Sequence, residues 1–142
     1  MNRKRWLSRT LVLNGFLAIL ICCVALAQDG PRRGTADIPF EFYIAGNKLP
    51  AGHYTLDVIA PTYVTIRSQD GKVQQDLYFL QSSVPTKDMP TQILFVARDN
   101  KYYLSEVWSW YGKSQLTSFN AKADEKTRAV PLKTVEKNVA KP

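Results

Sequence analysis

The sequence predicts an all-β protein, an antiparallel meander of about seven strands forming a sandwich or a flattened barrel. Three observations lead there. Apolar residues between Asp37 and Phe119 recur with a period of two, which places alternate side chains on opposite faces of a strand. Turn-forming residues interrupt that alternation at short intervals, as they do when neighbouring strands follow one another in the chain. No stretch before residue 120 has the 3.6-residue spacing of an amphipathic helix.

Each element follows from local chemistry. Ile38, Phe40, Phe42 and Ile44 share one face of a first strand, with Pro39, Glu41 and Tyr43 on the other. Pro39 has no amide hydrogen to give a ladder, so it suits a strand start or an edge. Gly46, Asn47, Pro50 and Gly52 break the pattern. Residues 53–60 form a second strand, with Tyr54, Leu56 and Val58 on one face, and residues 63–68 a third, with Val64 and Ile66 inward. Asp70-Gly71 is the strongest turn, because it supplies the positive φ values of a tight hairpin. Residues 72–80 return as a fourth strand, with Val73, Leu77 and Phe79 on one face and Gln75 among them, which a bulge would explain. Residues 81–91, with Pro85 and Pro90, form a longer loop. Residues 92–98 are apolar on both faces and belong in the centre of the sheet. Asp99-Asn100 turns the chain into a sixth strand at 101–109, and residues 113–119 make a weaker seventh.

The ends differ from this middle. Arg3, Lys4, Arg5 and Arg9 precede an apolar run from Leu11 to Leu26, and Ala25-Leu26-Ala27 supplies the small residues that a signal peptidase requires. Residues 1–27 are therefore expected to be a signal peptide, cleaved to leave Gln28 first. The run is slightly short for a membrane span, and none is expected after processing. Cys22 and Cys23, the only cysteines, fall inside this segment. Ile21 precedes Cys22, which does not suit a lipoprotein signal, so the mature protein is expected to lack thiols and to hold together without disulfides. Residues 28–36 are expected to be a linker, 37–119 the β domain and 120–142 a short charged tail. Residues 120–129 are compatible with a short helix capped by Asn120. The location this implies is exported, periplasmic or extracellular.

The net charge of +7 misleads until it is divided. Residues 28–120 carry nine basic and nine acidic side chains, and the excess lies in the leader and in the last 22 residues. A nucleic-acid partner would require a basic patch on the folded domain, so none is expected.

Candidate chemistry is sparse. His53 is the only histidine, and zinc requires three or four ligands, so neither a metal nor a cofactor is expected. The expected place of His53 is the wet side of a strand start. No Gly-x-Ser-x-Gly turn is present. Asp57, Asp70, Asp76, Asp88, Asp99 and Glu106 are scattered, and three of them sit where turns favour Asp. Glu106 is the exception: alternation puts it beside Leu104 and Trp108, where it needs a partner, a raised pKa or a local bulge.

The aromatic cluster Tyr102, Tyr103, Trp108, Trp110 and Tyr111 is the feature with most functional promise. Its flat apolar rings with polar edges suit proteins or sugars. Alternation predicts that Trp108 is buried, and Trp110 and Tyr111, at a hairpin tip before Gly112 and beyond the packed layer, are expected to be exposed. Trp110, Tyr111 and Tyr103 are the candidate binding residues.

Four stretches in order carry a resemblance: Ile38-Pro39-Phe40-Glu41-Phe42, Leu49-Pro50-Ala51-Gly52-His53-Tyr54-Thr55, Ser68-Gln69-Asp70-Gly71-Lys72 and Tyr103-Leu104-Ser105-Glu106-Val107-Trp108. Together they resemble a family of small secreted bacterial β-rich proteins of unknown function. The family implies neither substrate nor catalytic residues. The expectation is a non-catalytic binding or structural module of the envelope or extracellular space, partnered by a protein or a surface glycan. A small-ligand-binding barrel is the alternative, and a hydrolase a more distant one.

Overall fold

The structure, a computed structural model, describes residues 32–135. The segment expected to be a signal peptide, the start of the expected linker and residues 136–142 lie outside the described residues. Within them there are eleven strands and no helix: β1 (Arg32–Ile38), β2 (Phe42–Ile44), β3 (Asn47–Leu49), β4 (Gly52–Ala60), β5 (Tyr63–Ser68), β6 (Gln74–Ser83), β7 (Gln92–Arg98), β8 (Lys101–Ser109), β9 (Gly112–Leu116), β10 (Lys126–Pro131) and β11 (Lys133–Thr134).

They form one sheet folded into two faces, in the order β10-β7-β8-β9-β6-β5-β4-β1-β11. The fold occurs at β6. Its first half, from Gln74 to Tyr78, pairs with β5, and its second half, from Phe79 to Ser83, pairs with β9. All of these pairings are antiparallel. A short parallel pairing sets Phe42 and Tyr43 of β2 beside Tyr102 and Tyr103 of β8. No ladder joins β10 to β11, so the barrel is not closed. The chain itself crosses that seam at Leu132, which is buried, donates its amide to the Thr91 carbonyl and accepts from the Thr91 hydroxyl at 2.8 Å.

The all-β class and the meander from β4 to β9 agree with the sequence pattern. The ends do not. The described parts of the expected linker and tail contain strands, with no helix at residues 120–129: β1 pairs along its whole length with β4, and residues 126–131 pair one for one with β7. Ala36, Val130 and Leu132 are core residues. The tail has too few apolar side chains to show periodicity, but a ladder requires only backbone groups and two anchors. The predicted first strand is two strands, because the chain leaves one face for the other at Pro39-Phe40-Glu41, where Pro39 has no amide to continue a ladder. The supposed break after it contains the β2–β3 hairpin, turned by Ala45 and Gly46 with φ of 47° and 85°. Asp99 and Asn100, at 52° and 59°, make the same kind of turn between β7 and β8.

Between the faces the interior is filled with side chains. Phe42, Phe95, Ile38, Ile44, Leu56 and Ile66 are among those fully buried. Phe40, Phe42, Tyr54 and Phe95 meet in edge-on contacts with centroids 5.1 to 5.3 Å apart. The ladder is regular through Gln75, which faces Ile66. The register shifts instead near Ile59, Ser82 and Ser105.

Candidate functional site

The shift in β8 decides where its aromatic residues point. Phe95 of β7 faces Leu104 and Leu94 faces Glu106, so Ser105 is an extra residue. Leu104 is inward before it, and Val107 and Ser109 are inward after it. Glu106 and Trp108 are thereby carried to the outer side. The two expectations about burial are both corrected. Trp108 is half-buried on the outer surface, where its indole N–H donates to the Glu106 carboxylate at 2.7 Å and Lys113 lies 3.9 Å over its ring. Trp110 and Tyr111 are half-buried against the core rather than exposed. The Trp110 indole N–H donates to the Thr134 hydroxyl at 3.2 Å, and the Tyr111 carbonyl accepts from the Gln81 amide at 2.7 Å. A bulge reverses the phase of alternation, so counting by twos from Leu104 assigns the wrong faces.

Tyr103, the third candidate, lies in an outer row of rings. Tyr43 is beside it at 5.3 Å, and Phe119 is stacked on it at 5.5 Å. Lys101 lies 5.4 Å over Tyr43 at one end, and the Arg98 guanidinium 4.9 Å over Phe119 at the other. Arg98 is itself held by two bonds to Glu125, from Nε to Oε1 and from Nη2 to Oε2 at 2.9 Å, and by one from Nη2 to the Asn120 carbonyl at 3.2 Å. The Glu125 carboxyl is brought down to about 2 by those bonds and by the Lys122 amide that donates to it. The segment that follows β9 is thus pinned back onto the outer face.

Beside this row is a cleft of about 430 Å³, lined by Tyr43, Gly46, Arg98, Tyr103 and Phe119 and floored by Leu104 and Leu116. It exists because β2 and β9 share one flank of β8 without meeting. The β2 pairing ends at Tyr103 and the β9 pairing begins at Glu106.

A second outer feature was missed in the sequence. Tyr78 and Leu80 of β6 are 63% and 66% exposed, although they sit in mid-strand. The Tyr63 ring lies 5.4 Å from that of Tyr78, and Leu80 pairs with Gln115 of β9, which in turn pairs with Glu106. Asp76 binds the Tyr63 hydroxyl, pushing that phenol up, and accepts from Thr65 at 2.7 Å. The signal was legible: between Asp76 and Ser82, the outward positions of an alternating strand hold Tyr and Leu.

His53 and Asp37 lie together on the surface, with His53 Nδ1 against the Asp37 carboxylate and Lys133 3.5 Å from it. The Leu-Pro-Ala-Gly-His-Tyr stretch does structural work nearby, since the Tyr54 hydroxyl donates to the Pro50 carbonyl at 2.7 Å. Asp57 is buried between Arg33, at 2.6 Å, and Arg67, at 3.7 Å, and ties β1, β4 and β5 together. Among the described residues, no three His, Cys, Asp or Glu side chains converge as ligands for a metal. Among them, too, no helix is long and apolar enough to cross a membrane. Compared with protein-family models, curated proteins and solved structures, the chain matches none.

Proposed function

We propose that this protein is a non-catalytic binding module, exported to the envelope or the extracellular space, that engages a macromolecular partner through its outer face. The observation that carries this reading is the ridge on β6. Tyr78 and Leu80 stand side by side, each about two-thirds exposed, with Tyr63 on one flank and Gln115 on the other. Mid-strand positions on a wet face normally hold polar residues, so two adjacent large apolar side chains favour an interaction surface. The filled interior supports surface engagement over enclosure of a ligand between the faces. Export rests on the cationic and apolar leader with Ala25-Leu26-Ala27, and agrees with the secreted family that the four stretches resemble.

The test is crosslinking in intact cells followed by capture, with the wild type beside a variant carrying Tyr78→Ser and Leu80→Ser. The variant should fold as stably as the wild type and lose the captured partner. A variant that retains every partner overturns the assignment of this face.

A further inference from the structure

We propose that the cleft between the Ala45-Gly46 turn and Phe119 binds an uncharged pyranose ring. Four features of the cleft argue for that chemical class.

The first is size. At about 430 Å³, the cleft is in the range of small-molecule sites and suits one sugar unit with part of the next. It is open at the turn, where a β-carbon added to Gly46 would meet nothing within 4 Å.

The second is the wall. Tyr43, Tyr103 and Phe119 offer ring edges, since their faces are taken up by one another and by Lys101 and Arg98, and Leu104 and Leu116 complete the apolar lining. A sugar's C–H groups pack against ring edges and aliphatic carbon, and its hydroxyls keep to the open rim.

The third is the charge balance. Arg98 is the charged side chain lining the cleft, and Glu125 cancels its charge through a two-pronged ion pair. The pair supplies fixed N–H groups with no net charge. An anionic ligand gains no net attraction from a cation that Glu125 already neutralises, whereas a hydroxyl needs only a donor.

The fourth is unspent bonding capacity. Nε and Nη2 of Arg98 are engaged by Glu125 and Asn120, and Nη1 has no partner among the described residues. Nη1 therefore retains two donors on a guanidinium already held in place by its neighbours. Ser118 adds an exposed hydroxyl at the rim.

This site uses residues other than those of the β6 ridge, so failure of either assignment leaves the other standing. The experiment is a titration of the isotopically labelled protein, followed through its amide resonances, with methyl glycosides of glucose, galactose, mannose and N-acetylglucosamine. The methyl glycoside of glucuronic acid serves as the anionic comparison. At least one neutral glycoside should shift Gly46, Tyr103 and Phe119 together at millimolar concentration, with the glucuronide weaker. Ser118→Trp, which fills the cleft from an exposed position, should weaken that binding by roughly tenfold or more. Its denaturation midpoint should remain that of the wild type. Tyr103→Leu, which keeps an apolar side chain but removes the ring, should weaken it similarly.

The assignment is overturned if no neutral glycoside shifts these resonances up to its solubility limit. It is equally overturned if only the glucuronide does, if the shifts map to another part of the surface, or if Ser118→Trp binds undiminished.

Discussion

Leu132 lies directly over Gly34, so close that a β-carbon on Gly34 would come within 2.7 Å of two of its side-chain carbons. Both residues are buried, one in β1 and the other between β10 and β11. The contact ties the beginning of the domain to its end. Gly34→Val should therefore expel Leu132 and cost about as much as losing a buried leucine, roughly 2 to 5 kcal/mol. Hydrogen exchange should show residues 126–134 opening first. Deleting residues 121–135 should unfold the domain, because it removes both core anchors, Val130 and Leu132. Normal protection of the remaining strands in the deletion variant would show that β10 and β11 are dispensable.

The positions of Trp108 and Phe95 make opposite demands. Phe95 is fully buried, so Phe95→Ala should cost roughly 3 to 5 kcal/mol. Trp108 is half-buried on the outer side, held by Glu106 and Lys113. Trp108→Ala should cost only about 1 to 2 kcal/mol. Urea unfolding of the two variants separates these values, and equal losses would place Trp108 in the core after all.

Acid should loosen the segment that carries Phe119. Glu125 titrates near 2 in the folded protein instead of 4.5, because Arg98 and the Lys122 amide favour its ionised form. A lowered folded-state value means that the unfolded chain takes up the proton first as pH falls. The stabilisation is present in full above 4.5 and is lost between 4.5 and about 2. Glu125→Gln should leave a shallower pH dependence in that window and an unchanged slope above it. Thermal melting across the range reads both, and identical acid profiles would mean that the ion pair is not maintained in solution.

Gly112 opens β9 with φ of +110°, and a β-carbon there would sit 2.0 Å from the Ser83 carbonyl oxygen. The obstacle is backbone, so it has no rotamer by which to move aside. Gly112→Ala combines that collision with left-handed strain and should cost at least about 3 kcal/mol. Gly71, also at positive φ but with open space around it, should cost much less when replaced by Asn. Chemical denaturation of the two variants gives the ordering, and a stable Gly112→Ala protein would contradict the close approach of β9 to the end of β6.

Where alternation is uninterrupted the fold was legible residue by residue. The bounds of β5, β7 and β8 can be read from Val64 and Ile66, from the doubly apolar run around Phe95, and from the Asp99-Asn100 turn. The candidate site was less legible, for two physical reasons. A bulge at Ser105 changes which side chains share a face without changing composition, so Trp108 was expected in the core, while Trp110 was expected exposed at a hairpin tip that Thr134, distant in sequence, in fact contacts. The ring row depends on contacts between residues far apart in sequence: Tyr43, Tyr103 and Phe119 meet only because β2 lies parallel to β8 and Arg98 retains Glu125. Pairwise contacts of that range leave no periodicity. The terminal strands escaped notice for a third reason, since β10 keeps its place largely through main-chain bonds and the burial of Val130.

The pairing of β1 with β11 sets the moment at which the molecule can be finished. Arg33 and Val135 are joined by a main-chain bond, and Gly34 faces Thr134, across almost the whole described chain. Among the described strands, the one made first waits for the one made last. A nascent polypeptide of this design can assemble its middle hairpins early, yet its seam stays unsealed until β11 has emerged. Contacts of such long range slow closure, and they make it all-or-none. A chain lacking residues 126–134 would therefore keep β7 and β1 as unpaired edges, with the middle hairpins formed and the seam open.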